Sequence, residues 1–199
     1  MKKIIVVIVV LMPLFTFAQI QKGRSFLSGG FGFNSNSPDN PQPGATKHFS
    51  RFDVNAMYGI MIGDTWAIGV TPSFQTQTQT FSDESKNHSN TFGIGPFVRK
   101  YFVCSDKFYF HLDGMYSYSQ QKDFSETSSG DDGPVTKSST NAFAIVPGAS
   151  YFITDRVALT ATLGRLSYSK IKAANDNNSS SFDFNFSMTS FSLGAAVYF

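Results

Sequence analysis

From residue 19 to its end the chain has no run of apolar side chains spaced three and four apart, the pattern of a helix packed on a core. Apolar side chains recur instead at every second position, in eight separate segments. Such a chain must pair its strands with one another, and the alternation gives each strand one apolar and one polar face. In 25–34, Leu27, Phe31 and Phe33 oppose Ser28, Gly30 and Gly32. In 51–62, Phe52, Val54, Tyr58, Ile60 and Ile62 oppose Asp53, Asn55, Met57 and Gly59. In 66–77, Trp66, Ile68, Val70 and Phe74 oppose Ala67, Gly69 and Thr71, and in 91–102 Phe92, Ile94 and Val98 oppose Gly93, Phe97 and Arg99.

The second half follows the same rule. Phe108, Phe110, Leu112, Tyr116 and Tyr118 oppose Tyr109, His111, Asp113 and Ser117. Phe143, Ile145 and Tyr151 oppose Ala144, Gly148 and Ser150, and Val157, Leu159 and Leu163 oppose Ala158, Thr160 and Thr162. The phase then slips to Leu166 and Tyr168, which predicts a bulge near Gly164 and Arg165. It slips again between Phe182, Phe184, Phe186 and the odd-numbered Phe191, Leu193, Ala195, Val197 and Phe199. The connections alternate in length. Short turns fall at 63–65, 104–107 and 154–156, and long polar stretches at 35–48, 78–90, 120–140 and 170–181. Strand, long, strand, short, repeated to eight strands, predicts an all-β, antiparallel up-and-down barrel with every long loop at one end. Pro72, Pro96 and Pro147 fall inside predicted strands. Because a closed barrel has no free edge, each is expected at a bulge or a broken ladder.

Either face of such a barrel could point inward. A soluble barrel would place its polar face in water and cover it with Lys and Glu. Here that face is mostly Gly, Ser, Thr, Ala and Asn. The chain has 22 Phe but just two Glu, Glu84 and Glu126, both in predicted loops. Charged residues make up 15%, against about 25% in an ordinary soluble domain. The apolar face therefore points outward, into hydrocarbon. Aromatic residues sort to the strand ends: Trp66, Tyr101, Phe108, Tyr151 and Phe199 at the short turns, Phe33, Phe52, Phe92, Tyr118, Phe143, Tyr168 and Phe182 at the long loops. Two such belts, roughly 9–11 residues apart, match a tilted strand crossing a bilayer.

Residues 1–18 have the form of an export leader: Lys2 and Lys3, an apolar stretch over 4–15, and Ala18 before the cut. The stretch is too short to span a bilayer core of about 30 Å as a helix. The expected division is a signal peptide, 1–18, and one barrel domain, 19–199. Without Lys2 and Lys3 the 16 basic residues fall to 14 against 14 acidic ones. A balance so near neutral lacks the basic footprint of a nucleic-acid binder. Cys104, the single cysteine, has no partner for an intramolecular disulfide and reads as a small residue near a turn.

The leader, the Gly-Ile-Gly-Pro-Phe-Val-Arg-Lys-Tyr-Phe run at 93–102 and the terminal Phe191-x-Leu193-x-Ala195-x-Val197-x-Phe199 together resemble the small eight-stranded outer-membrane β-barrel family, the porin-like proteins of OmpX and OmpW type. The resemblance covers nearly all of 19–199 and implies an integral protein of a Gram-negative outer membrane, with long loops extracellular and both termini periplasmic. It also implies that outer-membrane lipids and the barrel-assembly machinery are partners, the latter reading Phe191, Leu193, Ala195, Val197 and Phe199 as an assembly signal. It supplies architecture and no catalytic motif.

The sharpest cluster is inward-facing: His111 and Asp113, with Asp53 and Arg99 on the same face of other strands. An imidazole beside a carboxylate could orient a base, but a network neutralising charge inside a narrow barrel explains the same residues. The lipid A deacylases among small barrels resemble a His-x-Ser arrangement facing lipid. Here His111 is followed by Leu112 and Asp113 and faces inward. Gly130-Asp131-Asp132-Gly133 and Asn175-Asp176-Asn177-Asn178 offer oxygen ligands but lack the spacing and distal Glu of a calcium loop. No cofactor is expected. The leading expectation is a non-enzymatic barrel acting through its polar loops, by surface interaction or as an envelope element. A lipid-modifying enzyme and a narrow pore are the alternatives.

Overall fold

The computed structural model describes residues 20–39, 42, 44–127, 133–173, 178–186 and 191–199; the expected leader lies outside them. The described chain folds into β1 (Ser25–Asn36), β2 (Thr46–Gly63), β3 (Trp66–Val70), β4 (Ser73–Phe81), β5 (Lys86–Ile94), β6 (Pro96–Val103), β7 (Phe108–Glu126), β8 (Thr136–Phe152), β9 (Val157–Leu163), β10 (Arg165–Ala173), β11 (Ser179–Asn185) and β12 (Phe191–Tyr198). Four pairs, β3 with β4, β5 with β6, β9 with β10 and β11 with β12, act as single strands interrupted midway. The result is a closed, antiparallel eight-stranded barrel. Leu27 of β1 pairs with Val197 of β12 at the closing seam, where Ser25 and Phe199 exchange backbone hydrogen bonds of 2.8 and 2.9 Å.

The interruptions explain the prolines. Pro72 separates β3 from β4, and Pro96 opens β6 after Gly95. The register passes both points unchanged, from Ser73↔Gly93 to Val70↔Pro96. The carbonyls there keep partners, Pro72 accepting from the Ala56 N–H at 3.0 Å and Gly95 from the Thr71 N–H at 2.8 Å. Pro147 lies where β8 changes neighbour, from Ile145↔Leu166 to Gly148↔Thr162. The opposing strand is one residue longer across that step. The extra residue belongs to the bulge at Gly164, whose φ of 69° suits glycine.

The faces fall as the alternation requires. Ile60, Ile68, Val98, Leu112 and Leu159 stand exposed on the outside, and Ala67, Phe97, His111, Ser150 and Ala158 are buried within. So continuous an apolar outer surface has no place in water and matches hydrocarbon.

Two features depart from the sequence expectation. The short-turn half of the lumen holds large side chains, with Phe26, Met61, Phe97, Tyr101, Tyr109, Phe152 and Tyr198 in one buried cluster. Small inward residues make this possible, since a side chain at Gly59 or Gly69 would collide with the rings of Phe26 and Phe97. Tyr101 belongs to this cluster and not to the outer belt; it is 1% exposed. The long polar stretches are also mostly paired strand. Strands at that end run on to Asn36, Phe81, Glu126 and Ala173 and begin again at Thr46, Lys86, Thr136 and Ser179. Ladders such as Gln77↔Ser89 and Gln121↔Ser138 carry polar residues on both faces, because above a membrane both faces meet water.

Candidate functional site

A bonded cluster is buried in the lumen. Arg99 and Asp113 are direct cross-strand partners on β6 and β7. The guanidinium donates to both carboxylate oxygens, Nε to Oδ1 at 2.6 Å and Nη2 to Oδ2 at 2.7 Å. Both side chains are almost fully buried, so the pair depends on this two-point geometry to offset the cost of leaving water. Arg99 also stacks on Phe26, 5.3 Å from the ring centroid, and donates to Met57 Sδ at 3.3 Å. Its Nη1 approaches the Tyr101 hydroxyl at 3.4 Å, and that hydroxyl shares a 2.8 Å hydrogen bond with Tyr198. Tyr198 packs between Phe26 and Phe152, at 5.2 and 4.9 Å between centroids.

The other two predicted lumen residues are placed differently. His111 is buried, and its Nδ1 shares a 3.2 Å hydrogen bond with Ser150 Oγ. Its Nε2 points at Gly148, where a methyl group would strike the imidazole and the Ala161 carbonyl. Nε2 has no hydrogen-bond partner among the described residues. Asp113 is held by Arg99 and does not orient the ring. Asp53 is not bonded to the cluster. It pairs with Arg51 at 3.3 Å on its own strand, because it stands four residues along β2 from Met57, roughly 13 Å at about 3.3 Å per residue. With Arg99, His111 and Asp113 it lines a cavity of about 360 Å³, completed by residues such as Asn55, Thr160, Thr162 and Ser192.

The sequence reading missed Tyr101, Tyr198, Phe26 and Ser150. Parity was the available signal: Tyr101 shares the phase of Phe97 and Arg99, and Tyr198 that of Ala196.

No group of His, Cys, Asp or Glu suited to a metal occurs among the described residues. Of the two oxygen-rich turns, 130–132 and 175–177 lie outside them. Cys104 is exposed in a short turn. At the opposite end the polar ladders of β4 with β5 and β7 with β8 rise past the upper aromatic row of Phe92, Tyr118, Phe143, Tyr168 and Phe182.

The outer membrane protein beta-barrel domain matches residues 4–199. No curated protein matches by sequence. Among solved structures the chain is similar to Neisserial surface protein A, at 16% identity and a TM-score of 0.50, over 89% of this chain and 96% of that one. It is also similar to Ail, the attachment invasion locus protein of Yersinia pestis, solved with the heparin analogue sucrose octasulfate, at 16% identity and a TM-score of 0.46, over 90% and 100%. A third similar structure is the outer membrane protease OmpT of Escherichia coli, at 13% identity and a TM-score of 0.42, over 88% and 76%. The match over nearly the whole chain, on a closed barrel with an apolar outside, shows that the protein belongs to the outer membrane protein beta-barrel domain family and is integral to the outer membrane.

Proposed function

We propose that this barrel is a non-enzymatic surface element that works through its long-loop end, facing the cell exterior, with both termini in the periplasm. The observation that carries this reading is the contrast along one strand. β7 runs 19 residues and β8 runs 17, although about 9–11 suffice to cross a membrane. The excess lies at the long-loop end, where it forms a paired, polar platform of Gln, Thr, Ser, Asn and Lys side chains. Such a surface suits hydrogen bonding to sugars or protein surfaces better than burial of an apolar ligand.

The lumen supports neither alternative. A pore would need a water path past Arg99, Tyr101, Tyr198 and Phe26, which are packed together. An enzyme of the Ser–His kind would need access to Ser150 and a carboxylate orienting His111. Ser150 is fully buried, and Asp113 is committed to Arg99. In this reading Phe191, Leu193, Ala195, Val197 and Phe199 are the signal to the assembly machinery, residues 1–18 are removed on export, and Phe199 anchors the chain at the periplasmic interface.

Replacing 121–138 and 170–181 with tight turns tests the proposal. The barrel is expected to refold and stay heat-modifiable on gels while surface binding to envelope or host components is lost. Binding that survives this change but disappears in His111→Ala or Asp113→Ala would place the function in the lumen and contradict the reading.

A further inference from the structure

The outer face of β7, β8, β10 and β11 changes character row by row. In the row nearest the bilayer centre Gly114 pairs with Ile145, and Ile145 with Leu166. One row up are Tyr116, Phe143, Tyr168 and Phe182. The next row brings Lys170 beside Asn141, then Lys172 beside Ser139, and finally Lys122 directly opposite Lys137. Aliphatic, aromatic and cationic rows thus follow one another on a single surface.

The missing side chain of Gly114 opens a groove on this surface, about 580 Å³ and almost wholly apolar, bordered by Val98, Tyr116, Phe143, Ile145 and Tyr168. Immediately above it lies a polar recess of about 520 Å³ lined by Gln120, Lys122, Lys137, Ser139 and Lys172. Lys172 stands four residues beyond Tyr168, about 13 Å along the strand, so cation and groove are within the reach of one acylated lipid.

Among the described residues, four charges at the top have no acidic partner. Elsewhere at this end Lys47 pairs with Glu84, Lys86 with Glu126 and Arg51 with Asp53. Lys122, Lys137, Lys170 and Lys172 have no carboxylate within ion-pair distance among the described residues. Like charges directly opposite on neighbouring strands destabilise a sheet, and Lys122 with Lys137 is such a pair. An anion between them would reverse the sign of that interaction.

We infer that this face binds a lipid with a phosphorylated headgroup, one acyl chain lying in the Gly114 groove and the phosphate held by Lys122, Lys137 and Lys172. Gln120 and Ser139 supply neutral hydrogen bonds between the cations. A lipid fits better than free phosphate because the groove and the lysines succeed one another on one face of the same strands. The inference deepens the surface-element reading and rests on it for the leaflet concerned.

The test is titration of the full refolded barrel in detergent, followed by native mass spectrometry, with bisphosphorylated lipid A, the same lipid dephosphorylated, and inorganic phosphate. The bisphosphorylated lipid is expected to bind and the other two to bind at least tenfold more weakly. K122Q/K137Q should lose on the order of 30-fold in affinity, at roughly one lysine's surface attraction each. G114L should weaken lipid binding with the lysines intact. K100Q removes one charge at the other interface, where Lys100 lies over Trp66, and should have no effect. Equal binding of the dephosphorylated lipid, binding of inorganic phosphate as tight as that of the lipid, or indifference to K122Q/K137Q would each overturn the inference. An epitope in 127–135 probed on intact cells tests orientation separately. An inaccessible epitope with lipid binding intact would sink the orientation and leave the site.

Discussion

At the short-turn end of the barrel, strands β1, β2, β6, β7, β8 and β12 turn their inward side chains onto one another, and the space between them is filled by rings and one buried ion pair. At the long-loop end the same ladders continue with polar side chains on both faces and no packed interior. One chain thus uses a single hydrogen-bonding pattern for two purposes. Packing at the closed end resists change residue by residue. The open end relies mainly on backbone pairing, helped by exposed ion pairs such as Lys47 with Glu84, and leaves most of its side chains free to meet other molecules.

Substitutions can break this contrast, and the largest effect is expected at the ion pair. Arg99→Met strands a buried Asp113 carboxylate and should cost about 3–5 kcal/mol in urea unfolding of the refolded barrel. Arg99→Met with Asp113→Leu should recover most of that, because an apolar pair of similar volume leaves no charge unpaired. A single variant as stable as the native protein would mean that the plug is not a packed unit.

Next comes the outer surface. Leu112→Arg places a charge in hydrocarbon and should cost about 2–4 kcal/mol in bilayers. Gln120→Arg, eight residues higher on the same face, should stay within about 0.5 kcal/mol. Similar losses at both positions would show that the apolar band extends farther than the aromatic rows indicate.

Smaller again is Gly69→Ala. A methyl group there meets the Tyr58 carbonyl and the Phe97 ring, an overpacking worth about 1–3 kcal/mol. Gly30→Ala, whose Cβ would have just the Asn55 side chain nearby at 3.9 Å, should be close to neutral by the same unfolding assay.

The smallest change should be a gain. Glu84 in the 82–85 turn has φ 68°, a conformation that costs a side-chain-bearing residue about 1–2 kcal/mol. Its ion pair with Lys47 is exposed and contributes at most about 1 kcal/mol. Glu84→Gly should therefore raise stability by up to about 1 kcal/mol. A loss would mean that the rim is packed more like the closed end.

Strand number, outward face and the special positions of Pro72, Pro96 and Pro147 were legible because period two and proline chemistry are local properties. Gly164 was legible too, since a phase slip marks a bulge. The plug was only half visible. Arg99 and Asp113 stood out as charges on a face of mostly small neutral residues, but Tyr101 looked like an interface aromatic because a strand end is where such residues gather. Asp53 shares the inward face, yet its height in the lumen follows from register, which a face assignment does not contain. The rim read as loop because polar residues on both faces carry no alternation. The juxtaposition of Lys122, Lys137 and Lys172 was invisible, since it depends on the register of β7, β8 and β10 beyond the aromatic row, where the sequence does not alternate.

Amide hydrogen exchange on the refolded barrel tests the division between the two ends most directly. Amides of Phe97–Val103, 108–113 and 148–152 are expected to exchange slowest, opening only with the whole barrel, and those of β4, β5 and β7 beyond Gln120 to exchange faster through local opening. Arg99→Met should accelerate the first set and leave the second unchanged. Uniform protection along β7, or acceleration of both sets together, would contradict that division.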